Sequence, residues 1–167
     1  MASSILTLTP AEIAAMTSAQ IAALKATDWS AFTPEQITAL TAAQIPAIAV
    51  AGWAALSPAQ VKAMDASNFG QMTTAQVRAL TTAGVAALDA GDLAAFNETQ
   101  FKALSTTQIR ALDATVLTSF NTDRIDALSS SQMAGFSSAQ LDGLSAVQLQ
   151  QFSTQQLRGL NSAQIAS

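Results

Sequence analysis

An eight-residue period runs from Met1 to Ser167 without an insertion or deletion. Counting places one to eight from Met1, the fifth is apolar in all 21 units, beginning Ile5, Ile13, Ile21, Trp29 and Ile37. The eighth is apolar in all 20 units that possess one, from Leu8 and Met16 to Phe152 and Leu160. Self-similarity at a short fixed period marks a repeat array, whose units touch mainly their neighbours and share no globular centre. Residues 1–167 therefore read as one continuous array.

The other places say what each unit folds into. The first is Ser, Thr, Asp or Asn in 18 of 21 units, residues whose short side chains accept from free N–H groups at a helix start. Three residues on, the fourth is Gln in 12 units and Glu in one. That completes a capping box in pairs such as Thr17–Gln20, Thr33–Gln36, Ser57–Gln60, Thr73–Gln76 and Ser153–Gln156. Pro10, Pro34 and Pro58 occupy the second place, the first helical position, where a missing N–H is harmless. The apolar residue before each cap and the next fifth-place residue, as in Leu8 with Ile13, stand as a hydrophobic staple that bends the chain at each junction. Nine of eleven acidic residues lie in places one to four, and five of seven basic residues lie in the sixth, as a helix dipole favours. The seventh place is Ala or Gly in 16 units, which predicts close helix approach.

Two rivals fail against this pattern. One long helix would advance its apolar stripe by roughly 80° per octad, and no seven- or eleven-residue supercoil repeat is present. In a β-solenoid the two apolar places would point to opposite faces of a strand. The expected fold is an all-α solenoid, a superhelix of short capped helices, one per eight residues. Such helices do not hold alone in water, because nucleation is costly. Burial of two large side chains per octad, each worth about 1.5–3 kcal/mol, must be shared through the stack.

Unit starts that accompany a missing fourth-place Gln recur at 24-residue intervals, Lys25 and Ala49, then Asp65, Asp89 and Asp113. Trp29 and Trp53 share that spacing, which predicts about three helices per turn; Phe120, Phe136 and Phe152, 16 apart, keep two or four open. All nine aromatic residues lie at the fifth or eighth place and read as core, not as a ligand-stacking surface. Pro46 sits inside its unit, removes a helical hydrogen bond, and with Ala49 and Gly52 marks a candidate hinge near 46–52.

Little here can carry chemistry. The chain has no His, Cys or Tyr. Its Ser and Thr residues fill cap positions with no His base beside them. Asp89 with Asp92 and Asp123 with Asp126 are explained as cap and helix-surface residues, not as an acid/base pair. Metal ligation lacks His, Cys and any dense oxygen-ligand loop, and the glycines form no phosphate cradle. The expectation is no enzyme, and no catalytic, cofactor-binding or metal-binding residues. A net charge of −4 with 11% charged residues argues against nucleic acid. Lys62, Arg110 and Arg158, and likewise Arg78 and Lys102, would align only in columns too thin to hold phosphates. The longest uncharged stretch, between Glu35 and Lys62, is broken by polar residues, so no membrane span is expected and a soluble protein is. The N-terminus shows no signal-peptide pattern.

The consensus Leu-Thr-x-x-Gln-Ile-x-Ala-Leu, met as MTTAQVRAL (Met72 to Leu80) and LSTTQIRAL (Leu104 to Leu112), resembles a known kind of array. Similar Thr/Ala/Gln-rich octapeptide repeats build very large bacterial secreted or surface proteins of adhesin-like or haem-utilisation-like type. A more distant likeness is to the superhelical repeats of the mesothelin and stereocilin family. The first resemblance covers the whole chain and implies a non-enzymatic scaffold or spacer, extracellular or on the surface of a bacterium. The alternative is a module that holds a protein, glycan or lipid in the groove of the superhelix, with places two, three and six setting specificity. Neither end shows a distinct polar capping unit, which predicts a longer array or end-to-end self-association.

Overall fold

Most of the helices begin at a side-chain cap, although Val50–Ala55, behind Ala49, begins without one. Thr33 is extended (φ −77°, ψ 157°), its Oγ1 accepts the Gln36 N–H at 3.2 Å, and Gln36 Oε1 accepts the Thr33 N–H at 2.9 Å. The same reciprocal pair forms at Thr17–Gln20, Ser57–Gln60, Thr73–Gln76 and Ser153–Gln156. At Lys25, whose ammonium cannot accept, only the return half survives: Asp28 Oδ2 takes the Lys25 N–H at 2.9 Å. The structure, a computed structural model, describes residues 5–166. Among them are 19 α-helices of four to six residues, α1 (Pro10–Ala14) to α19 (Ser162–Ile165), two 3-10 turns (Ile5–Thr7 and Ile45–Ala47), and no strand. Pro46 lies in the second of those turns, so the unit it interrupts forms a tighter, shorter coil than its neighbours.

The principal helix contacts all join units three apart. Thus α7 (Ala66–Phe69) packs on α10 (Ala90–Ala95), α9 (Thr82–Val85) on α12 (Thr106–Ala111), and α13 (Ala114–Leu117) on α16 (Ser138–Asp142). Three helices therefore complete one turn of the superhelix, and the fourth starts the next. Fifth-place and eighth-place side chains of successive turns form one continuous apolar core, from Ile5 to Phe152. All nine aromatic residues are buried in it. Trp29 stacks on Phe32 at 5.0 Å and Phe69 meets Phe96 edge-on at 5.9 Å, arrangements that suit ring quadrupoles.

The small seventh place marks the closest approach of turns. A Cβ on Gly135 would lie 2.6 Å from the Thr106 carbonyl oxygen, and Gly159 sits nearer still to the backbone of Ser130. Both neighbours belong to the unit three before. At these two positions only glycine fits without moving a turn.

Candidate functional site

The fourth-place glutamines do more than cap their own helices. Gln36 Nε2 donates to the carbonyls of Ile5 (3.0 Å) and Leu8 (2.8 Å). Gln60 donates to Trp29 and Phe32, both at 2.8 Å, and Gln140 to Ile109 (2.9 Å) and Leu112 (2.7 Å). The acceptors lie 31 and 28 residues back, at places five and eight of the unit four before. The eighth-place carbonyl lies past the end of its short helix, where no intrahelical partner is left for it, whereas the fifth-place carbonyl also accepts the eighth-place N–H of its own unit, as Ile5 O does from Leu8 at 3.1 Å. A glutamine amide has one acceptor oxygen and two N–H donors, and here it serves its own cap and the end of the helix beneath. These side chains form a polar ladder through the solenoid and are themselves buried, from Gln140 at 2% exposure to Gln148 at 8%. Gln20 keeps the same local box but is exposed, so the box alone does not bury the residue.

The exceptions are informative. Asn68 is one carbon shorter and reaches a single carbonyl, that of Leu40, at 3.2 Å. Gly52 stands where a Cβ would lie 2.5 Å from Trp29 Cδ1, so the indole occupies the room a glutamine stem would need. The indole nitrogens of Trp29 and Trp53 are buried with no partner among the described residues. Asp92 keeps a capping box with Asp89, each bond 3.0 Å, but a carboxylate has nothing to donate to the turn beneath. Burial, with the nearby Asp89 charge adding to it, pushes the Asp92 carboxyl above the usual carboxylate range against the opposing pull of the Asp89 N–H.

Arg124 in α14 (Thr122–Asp126) does the glutamine's task by other means. Its Nη2 donates to Ala94 O at 2.7 Å and also to Phe96 O, and its guanidinium carbon sits 5.5 Å from the centre of the Phe101 ring. The guanidinium is partly desolvated, which pulls its pKa down. Sequence reasoning did not single out this residue, although it is the one basic side chain at any fourth place.

The carboxylate pairs considered from sequence separate into different settings. Asp89 and Asp92 form the box just described, whereas Asp123 and Asp126 are exposed on α14. Lys62, Arg78, Lys102, Arg110 and Arg158 all lie on the surface, and Lys102 pairs with Glu98 one helical turn away. Among the described residues, no group of three or more His, Cys, Asp or Glu side chains is placed to hold a metal ion. Nor is any described helix long and apolar enough to cross a membrane.

Residues 53–82 and 85–115 match a protein-family model described as the ALTTAQ repeat. The chain carries Thr/Ala/Gln-rich repeats. Within the first matched segment the motif is visible as Met72-Thr73-Thr74-Ala75-Gln76, where Met72 closes one unit and Thr73 and Gln76 box the next. No curated protein and no solved structure matches the chain.

Proposed function

We propose that this array is a non-enzymatic scaffold or spacer in a bacterial surface or secreted protein of adhesin-like type. The observation that carries the reading is that principal contacts join units three apart, with the glutamine bonds reaching one unit further. Length can then be added or removed unit by unit without disturbing any distant contact, the property a spacer needs. The large apolar side chains are mostly buried, and the accessible places are mainly Ala, Ser, Thr and charged residues. The extracellular setting rests on the resemblance of the octapeptide consensus to secreted arrays. Replacing the array in its parent protein by an unrelated solenoid of equal length tests the proposal. Attachment of the parent bacterium to its surface is expected to survive the exchange, and loss of attachment would favour a binding module. Digestion of intact cells with an added protease tests localisation, with cleavage within the array expected.

End-to-end association is a second reading with its own support. Leu149, Leu157 and Ile165 occupy the fifth place, which is buried in every described earlier unit, yet here they are 44, 46 and 68% exposed. A further turn, from the next units of a longer array or from a second copy, would cover them. A particle mass that stays monomeric over a wide concentration range would remove this reading.

A further inference from the structure

Exchanging Gln for Arg at position 124 upsets the balance of donors and acceptors. A glutamine supplies an acceptor to its cap and donors to the turn beneath, whereas a guanidinium supplies donors alone. Arg124 Nη2 is taken up by Ala94 O and Phe96 O, but Nη1 is buried and meets no acceptor among the described residues. Asn121 Oδ1 still accepts the Arg124 N–H at 3.1 Å, yet α14 has no capping box, so the Asn121 N–H lacks the oxygen a glutamine would provide. Among the described residues no carboxylate lies within 4.0 Å of the guanidinium, although Glu98 and Asp123 border the surface on another side of Arg124.

Arg124 and Asn121 both border a cavity of about 110 Å³. Exposed Ala90, Ser119 and Asn121 line its mouth, buried Leu93 and Phe120 its floor, and Arg124 its wall. A cavity of roughly 150 Å³ admits a benzene ring, so this one has room for about four or five heavy atoms. An apolar floor beneath an unpaired cation suits a small amphiphilic anion better than water or a halide, which would leave Leu93 and Phe120 facing a polar guest.

We propose that this cavity binds a short-chain carboxylate of acetate to propionate size. Its carboxylate accepts from Arg124 Nη1 and the Asn121 N–H, and its alkyl end rests on Leu93 and Phe120. Because Nη1 is shielded, the guanidinium swings toward the cavity as the ligand enters.

The test is a titration of the full 167-residue chain with sodium propionate at constant ionic strength and pH 7, followed by nuclear magnetic resonance of the Arg124 side chain and Asn121 amide. Saturable shifts centred on Arg124, Asn121 and the Leu93 methyls are expected, with a midpoint in the millimolar range. Arg124→Gln restores the repeat consensus, is expected to melt no lower than the parent, and should weaken binding at least tenfold. Ala90→Leu narrows the mouth from an exposed position and should also weaken it while leaving Arg124 in place. Linear shifts without saturation, an unchanged midpoint in Arg124→Gln, or an equal response to chloride would each overturn the assignment.

Discussion

Residues 129–166 and residues 81–128 share one apolar pattern but differ in the polar ladder. In the later stretch Gln132, Gln140, Gln148, Gln156 and Gln164 each donate to the turn beneath. In the earlier stretch the fourth places read Gly84, Asp92, Gln100, Gln108, Val116 and Arg124. The carbonyls beneath Gly84, Asp92 and Val116 therefore receive no glutamine donor. Both stretches keep the apolar core, apart from the exposed Leu149, Leu157 and Ile165 of the later one, so the core persists where the ladder lapses. The ladder adds register: it tells each turn which carbonyls to sit upon. Where it lapses, other chemistry enters, a buried carboxylate at Asp92 and an unpaired guanidinium at Arg124.

The largest expected effect comes from breaking the ladder where it is complete. Gln140→Glu keeps the acceptor for the Ser137 N–H but turns a carboxylate oxygen toward Ile109 O and Leu112 O. We expect a loss of about 3 kcal/mol at neutral pH, read by urea unfolding, since a buried charge facing acceptors exceeds the cost of one missing hydrogen bond. A loss below about 1 kcal/mol would mean that the ladder adds little.

Repairing it should act in the opposite direction. Asp92→Gln is expected to stabilise by about 1–2 kcal/mol at pH 7 by supplying donors to the unit four before. The sign of the pH dependence follows from the raised carboxyl of Asp92. Its contribution is full below the ordinary carboxylate range and is lost as pH rises through the elevated folded value. The stability difference between variant and parent should therefore widen with pH across that window. A difference flat with pH would show that Asp92 is not ionising inside the stack.

A smaller effect is expected at Pro46. Pro46→Ala should convert the 3-10 turn to an α-turn and slow amide hydrogen exchange over 46–52, with stability changing by less than about 1 kcal/mol. Exchange there already as slow as in the flanking units of the parent would end the case for a hinge. The smallest effect belongs to Lys102→Ala on the surface of the interrupted stretch. It removes an exposed pair with Glu98 and should leave the unfolding midpoint unchanged. A clear shift would place the weakness of that stretch in its surface charges, not its ladder.

Much of this was legible because capping is local. Thr33 and Gln36 are three residues apart, and their box follows from residue type and spacing alone. The second duty of the glutamines left a fainter trace. Glu satisfies a capping box as well as Gln, yet Gln outnumbers it twelve to one at the fourth place. That bias signals a need for donors, although it does not say which acceptors receive them. For the candidate site, the one trace of Arg124 was its place as the basic residue in the Gln column, which the sequence reading did not use, and its cavity had no sequence signature.

The sequence by itself determined that a short helix restarts every eight residues and which two side chains of each unit turn inward, because caps and apolar places act within a few residues. Tertiary structure alone decided which carbonyls, 28 and 31 residues distant, lie under each glutamine. That pairing depends on the pitch of the superhelix, set by how closely the small seventh-place residues let one turn settle on another. The same stacking surrounds Arg124 with carbonyls, a ring and a cavity that no nearby residue could announce.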